Sequence, residues 1–416
     1  MANLVQDIKL IGNEILWFRQ LRENGLEAFG RQGIPTAKTE AWKYTKPRNL
    51  NTDDFVIEFS LDEKNSCPKV PFDGYCICFS NGIFNPAQTK LPQGVEVLPL
   101  IEAVMFNSET RLFLGKLTDV EKYPFAALNS SYMNEGVFIR IDKNVSLKKP
   151  LVLINHTTSG NKNLFFNLRN LIVLEEGAEA EFVEYYTYSG DVKSRYFANV
   201  VNEVFIGRNS RLNHYKLQNE AFKSDHIALT TVQVKRDGEY NSFCLQKGAD
   251  IGRNETRVIL KEENARTNVD AAYIMNGWAT LDTTTDVEHL APYTYSGQLV
   301  KGVVGGDAKG VFQGKIHIAP HAVKTEGRQL HKALLLTDTA EIDCKPELEI
   351  FADDVKCSHG AASGELDEEQ LFYMQSRGIG REEAKQMLID AYLDDVVNHI
   401  ANEKIKSWFK ENIQAK

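Results

Sequence analysis

Cys357 and His359, within "DDVKCSHGA" (residues 353–361), place a soft sulfur and an imidazole two positions apart in a chain with six cysteines and nine histidines. On an extended segment residues i and i+2 point to one face, so the two side chains can serve one volume. That donor pair suits iron or zinc. Two ligands leave a tetrahedral ion half coordinated, so a metal held here needs ligands from elsewhere, such as another subunit. A nucleophile–base pair is a weaker reading, because same-face strand neighbours rarely bring the ring within hydrogen-bond reach of the sulfur. Plain strand packing is the third reading, and the residues alone leave all three open.

The other chemistry-bearing residues offer less. Cys76 and Cys78, in "FDGYCICFSNGIF", fall on one face of an expected strand, where packing is the simpler account and a disulfide framework is not expected. "HIAPH" carries His317 and His321 on an expected strand, which would hold the rings about 13 Å apart, too far for one ion. His289 and His331 read as hydrogen-bonded wall residues. "DTTTDVEH" (residues 282–289) could form an acidic groove for polysaccharide chemistry, although alternating acids on a strand more commonly make a solvated face. No G-x-x-x-x-G-K-[ST] run is present, since "GGDAKGVF" puts Val311 at the lysine position, and neither G-x-G-x-x-G nor G-x-S-x-G occurs.

The elements that must position these residues follow from periodicity. Leu4, Val5, Ile8, Ile11, Ile15, Leu16 and Phe18 recur at helical spacing, with Gly25 and Gly30 expected to break the pattern. "GIPTAKTEAWKYT" (residues 33–45) reads as a turn and helix start bearing Trp42 and Tyr44. From about Gly136 short strands recur with turn clusters at Leu174, Ile206, Val234, Leu260, Val304 and Leu336, spaced 32, 28, 26, 44 and 32 residues apart. Those intervals suit a stacked solenoid, and Gly, Asn and Asp at the turns suit corners that need left-handed backbone. The expected fold is mainly β: a β-helix over residues 136–355, between a mixed, largely helical region (1–135) and a helical region (356–416). In the last, Asp367 reads as an N-cap and Gly378 as a stop. Met387, Leu388, Ala391, Tyr392, Val396 and Ile400 make an apolar stripe, and the first of these helices is the expected cap of the last coil.

Composition sets the outer limits. With 43% hydrophobic and 25% charged residues the chain is ordinary for a globular protein, and a net charge of −9 disfavours a nucleic-acid surface. No apolar run approaches the ~20 residues of a bilayer span, and charges near the N-terminus interrupt any secretory core, so a cytosolic protein is expected.

Residues 324–379, "KTEGRQLHKALLLTDTAEIDCKPELEIFADDVKCSHGAASGELDEEQLFYMQSRGI", closely resemble the SufB/SufD family of iron–sulfur cluster assembly scaffolds. "PTAKTEAWKYT", "VEHLAPYTYSGQLVKGVV" and "GKIHIAPHAVKTEGRQ" extend the resemblance over most of the chain. Ala333 stands where SufB carries a cysteine, and Ser358 and Gly360 stand where SufB carries acids, departures that point to the SufD side of the family. The resemblance implies that the core is a right-handed parallel β-helix, and that the chain is a non-catalytic scaffold subunit in a complex with SufB and two copies of the ATPase SufC, which would account for the missing phosphate loop. It also implies that His359 faces the SufB junction and helps hold a transient iron or iron–sulfur cluster, with Cys357 assisting or only lining the junction. The helices after Leu366, with Leu371, Phe372, Tyr373, Leu388 and Tyr392, would dock SufC. The isolated chain could pair with itself through the surface meant for SufB. The rival readings are a self-contained β-helix carbohydrate enzyme and a purely structural dimer.

Overall fold

The computed structural model describes residues 10–47, 50, 55–57, 67–85, 90–158, 162–190 and 193–414. Its centre is a parallel β-solenoid of two facing sheets in which each coil contributes one strand to each. One sheet (sheet A) runs through β4 (Val137–Ile141), β6 (Leu164–Leu174), β8 (Tyr196–Ile206), β10 (Ser224–Val234), β12 (Ile251–Leu260), β14 (Thr280–His289), β16 (Lys309–Ile318) and β18 (Glu341–Ile350). The other (sheet B) runs through β5 (Leu151–Thr158), β7 (Glu179–Ser189), β9 (Arg211–Glu220), β11 (Glu239–Gly248), β13 (Arg266–Met275), β15 (Tyr295–Val304), β17 (Thr325–Leu335) and β19 (Val355–Glu365).

The strands alternate because the coil interior takes every second side chain. Val200, Val204 and Ile206 of β8 point inward among Leu168, Ile172, Val232 and Val258 of neighbouring coils, and their intervening residues face outward. At the corners that follow β4 to β16 of sheet A, one residue each adopts left-handed backbone: Asn144, Gly177, Asn209, Asp237, Asn264, Tyr293 and Lys324. Five of the seven are the residue types that tolerate it, as the turn composition implied. The 44-residue interval in the sequence pattern has a structural cause. Leu174, Ile206, Val234 and Leu260 end strands of sheet A, whereas Val304 and Leu335 end strands of sheet B. The interval therefore spans one coil and the half coil that switches corners.

The solenoid's strands pass both expected limits of 136–355. β1 (Tyr75–Ser80) pairs in parallel with β5, β2 (Ile83–Asn85) pairs antiparallel with β1, and β3 (Val95–Pro99) pairs antiparallel with β4. At the other end β19 continues to Glu365.

Helices cover the outer faces of both sheets. α1 (Leu16–Gln32) packs on α4 (Pro124–Ser131) over the first coils of sheet A. Gly25 does not break α1. A Cβ there would lie 2.8 Å from the Ala127 carbonyl oxygen and 2.8 Å from the Ser130 Cβ, so glycine is what lets the two helices approach. Gly30 likewise lies inside α1, and Leu4, Val5 and Ile8 fall outside the described residues. Beneath these helices Arg169 and Glu203, both fully buried, pair at 2.7 Å, and Glu203 also accepts the backbone N–H groups of Gly115, Leu117 and Thr118.

α6 (Arg381–Val397) and α7 (Glu403–Gln414) lie on the outer face of sheet B, where Ile389, Leu393, Val396, Ile400, Trp408 and Phe409 pack on Val183, Leu217, Phe243 and Leu245. Val396 and Ile400 of the expected stripe are buried, but its earlier part is offset: Ile389 and Leu393 meet the sheet, and Met387 and Ala391 are exposed. Two apolar rows lie side by side on this helix, and the row carrying Ile389 and Leu393 is the one that finds the sheet. α5 (Glu368–Ser376) starts at Asp367, whose carboxylate accepts the N–H groups of Glu369 and Gln370. It does not cap the last coil: Leu371 is its one buried residue.

The "PTAKTEAWKYT" segment forms a strap over the later coils of sheet A. A short 3₁₀ turn at Glu40–Trp42 places Trp42 4.4 Å beneath the Arg253 guanidinium, while Glu40 pairs with Lys345 at 2.9 Å and Thr45 donates to Asp282.

Candidate functional site

With helices and strap on the outer faces, the exposed part of the solenoid is its C-terminal end. β19 pairs only with β17 and β18 only with β16, so each sheet ends there in an edge strand. Such an edge is a template for pairing unless something covers it. Apolar side chains ring this end: Ile350 and Phe351 follow β18, the latter 60% exposed, and Leu330 faces outward on β17.

The β17–β19 register fixes where the candidate residues sit. Cys357 lies beside Gly327, His359 beside Gln329 and Ala361 beside His331. Gly327, Gln329 and His331 all point into the coil and are buried, so Cys357 and His359 project from the same side, into the mouth of the last coil. No further coil follows, and His359 is exposed with no hydrogen-bond partner among the described residues. Cys357 is half-buried against Ile316, Ile318 and Ala322, and that burial raises its thiol pKa. No cluster of three or more His, Cys, Asp or Glu side chains arranged to hold a metal ion occurs among the described residues.

A second Cys–His pair lies one coil deeper, and the sequence reading passed over it. Cys344 on β18 and His331 on β17 face each other across the interior, Sγ to Nδ1 3.0 Å. The other ring nitrogen of His331 is 2.7 Å from the Tyr273 hydroxyl, and Phe312 stacks on the ring at 4.8 Å. Burial lowers the His331 pKa to about 4 and raises that of Cys344 to about 11, so both are neutral near pH 7. Thirteen residues separate them, and only the closing of a coil brings them together. A signal existed in their positions within their strands, both inward by alternation.

The remaining candidates resolve as follows. His289 is buried and bonded to Thr294 and Ser296, and His331 is the wall residue just described. His317, on β16, meets Glu349, while His321, in the turn beyond, contacts the Leu290 carbonyl. Cys78 is joined to Cys67 in a disulfide, contrary to the expectation of plain strand packing. Cys67 precedes β1 and packs into the same apolar cluster as Cys76 and Cys78, with its Cα 6.0 Å from that of Cys78. The "DTTTDVEH" acids are engaged in ion pairs: Asp282 with Arg253, Asp286 with Lys122 and Glu288 with Arg257. That leaves no free carboxylate pair for glycoside chemistry on this strand.

Of the residues expected to dock a partner, Phe372 (73% exposed) and Tyr373 (58%) stand in solvent. Leu371 is buried, Leu388 is half-buried, and Tyr392 is turned onto the solenoid with the Lys301 ammonium 4.5 Å over its ring. These three are engaged wholly or in part within the chain.

Deeper still, the middle coils hold a polar core. Glu184 is fully buried, and although burial pushes its pKa up, the hydrogen bond from His214 and the charge of Lys216 bring it down to about 2. Tyr186 and Asn202 also donate to it. None of this was visible as a motif, because the partners come from three successive strands of two coils.

The chain matches the SUF-system FeS cluster assembly SufBD core domain over residues 156–392 and the SufBD N-terminal region over residues 9–153. It is 31% identical to the iron–sulfur cluster assembly protein SufD of Escherichia coli, the alignment covering 92% of this chain and 89% of that one. Identity to an iron–sulfur cluster assembly SufBD family protein of Synechocystis is 30%, covering 91% and 86%. The SufD of Bacillus subtilis is 27% identical over 97% of this chain and 94% of its own. No helix among the described residues is long and apolar enough to cross a membrane. With its paired strands, its open end and both family regions matched, the chain belongs to the SufBD family of iron–sulfur cluster assembly proteins.

Proposed function

We propose that this chain is a non-catalytic scaffold subunit of a cytosolic SUF assembly complex. Its open end pairs with the corresponding end of a SufB-type subunit, and its C-terminal helices engage a SufC-type ATPase that supplies nucleotide hydrolysis. His359 then offers an imidazole to iron or to a nascent cluster, the transient cargo, and Cys357 lies beside it. The observation that carries this reading is His359 itself: exposed, unpartnered, and projecting from an unpaired edge strand. An edge of this kind suits β-augmentation, in which main-chain hydrogen bonds give affinity and side chains give specificity. Phe372 and Tyr373 suit the ATPase contact because they stand free of the solenoid. In the absence of SufB the same edge can pair two copies of this chain.

The test is co-expression with SufB and SufC followed by anaerobic reconstitution. His359→Ala leaves complex assembly intact and lowers the cluster absorbance per complex several-fold. Undiminished absorbance removes His359 from the cargo site, and failure to assemble makes its role structural.

A further inference from the structure

We propose that Cys344 and His331 form an inner ligand pair for a thiophilic divalent cation, set one coil below His359 in the mouth of the solenoid. Three observations point to this pair. The sulfur and Nδ1 are already 3.0 Å apart, on two sheets that face each other. In the tautomer that donates Nε2–H to the Tyr273 oxygen, the Nδ1 lone pair faces the sulfur, and a ring nitrogen held this way is how ligating imidazoles are oriented. Cys344 is also reachable, because it lies on the last strand of sheet A and remains partly exposed.

The geometry needs a small adjustment. A metal–sulfur bond of about 2.3 Å and a metal–nitrogen bond of about 2.0 Å at a tetrahedral angle separate the two donors by roughly 3.5 Å. Opening the contact by about half an ångström, with loss of the thiol proton to solvent, seats the ion between them. Cys344 and the ring of His331 would supply two ligands, and water the remainder. The ligand class is a borderline-soft divalent cation, Fe²⁺ or Zn²⁺, selected by sulfur and imidazole over Mg²⁺ or Ca²⁺. For iron, the pair would be a holding point for cargo on its way to or from His359.

This inference rests on the reading that the chain handles iron, but its test does not require cluster formation. The full-length, reduced chain is titrated anaerobically with Co²⁺ as a spectroscopic stand-in, and the thiolate-to-cobalt charge-transfer absorption is followed. The expected result is a band that Cys344→Ser abolishes, that Cys357→Ser leaves in place, and whose half-saturation moves at least tenfold higher in His331→Gln. Tyr273→Phe, which removes only the orienting hydroxyl, shifts it in the same direction by roughly tenfold. Alkylation of the wild-type chain gives a reading independent of variant folding: Co²⁺ protects Cys344 from iodoacetamide. A band that survives Cys344→Ser, no band at all, or no protection of Cys344 overturns the proposal. If the proposal fails while His359→Ala still lowers cluster yield, only the inner pair is lost. If the band behaves as expected while His359→Ala has no effect, it is the role of His359 that is lost.

Discussion

The two ends of the solenoid are built to opposite rules. At the N-terminal end β1, β2 and β3 add strands to both sheets, two of them antiparallel, and the helices of the first 135 residues close over sheet A. Arg169 and Glu203 are buried there as an ion pair. At the C-terminal end no further strand pairs with the free edge of β18 or β19 among the described residues, the strap touching β18 at Lys345, and side chains of β19 that would be interior in any other coil meet solvent. Every solenoid must hide its last coil from stray pairing. One end of this chain does so with its own residues, and in the function proposed above the other leaves the task to a second polypeptide. If so, damage to the closed end should appear as lost stability, and damage to the open end as lost association.

The largest effect belongs to the closed end. Glu203→Ala leaves the Arg169 guanidinium buried without its counter-charge and frees three backbone N–H groups of the 115–118 loop. Breaking one side of such a pair costs about 3–5 kcal/mol, read as a lower midpoint in urea unfolding. A change below about 1 kcal/mol would mean that the helices of the first 135 residues are not tightly coupled to the coils.

Next in size is a pH effect at the same end. Glu135, just before β4, accepts a hydrogen bond from the Phe84 N–H of β2, but burial dominates and raises its pKa from 4.5 to about 7. A carboxyl whose folded pKa is raised adds stability that is complete below its unfolded pKa and is lost as pH rises through the folded value. At 1.36 kcal/mol per unit the loss between pH 4.5 and pH 8 is about 3 kcal/mol from this group. Glu135→Gln keeps an acceptor for Phe84 and removes the charge, so the variant should be more stable than the parent at pH 8 and little different at pH 5. Equal stabilities at pH 8 would show that Glu135 is hydrated.

The solenoid was legible in the sequence because its corners repeat a local requirement: left-handed backbone, met by Gly177, Asn209, Asp237 and Asn264, between alternating apolar runs. The cap of α5 was legible for the same reason, since Asp367 and Gly378 act on their own neighbours. What could not be read was long-range. The offset stripe of α6 is settled by which row meets sheet B, and Gly25 by the approach of α4 more than a hundred residues away. The Cys67–Cys78 bond depends on a segment folding back beside β1, and the pairing of Cys344 with His331 depends on the closing of a coil. Cys357 and His359 stood out early because they are neighbours on one strand. Their place in the mouth of the open end is a product of register, which no short motif encodes.

The smallest effect on stability is expected at the open end, and it decides whether the comparison holds. Phe351 follows β18, is largely exposed, and sets its ring 5.5 Å from that of His317 between centroids. Replacing such a residue seldom changes stability by more than about 0.5 kcal/mol, because the side chain gives up little burial within its own chain. The same Phe351→Asp substitution puts a charge into the apolar rim of an edge that must be desolvated when another chain pairs with it, where an unpaired buried charge is strongly unfavourable. Sedimentation should therefore find the variant monomeric, and co-purification with a SufB-type subunit should fall at least tenfold, while its urea midpoint matches that of the parent. A variant that unfolds more easily yet still associates would reverse the assignment, making the rim part of this chain's own core and placing the docking surface elsewhere.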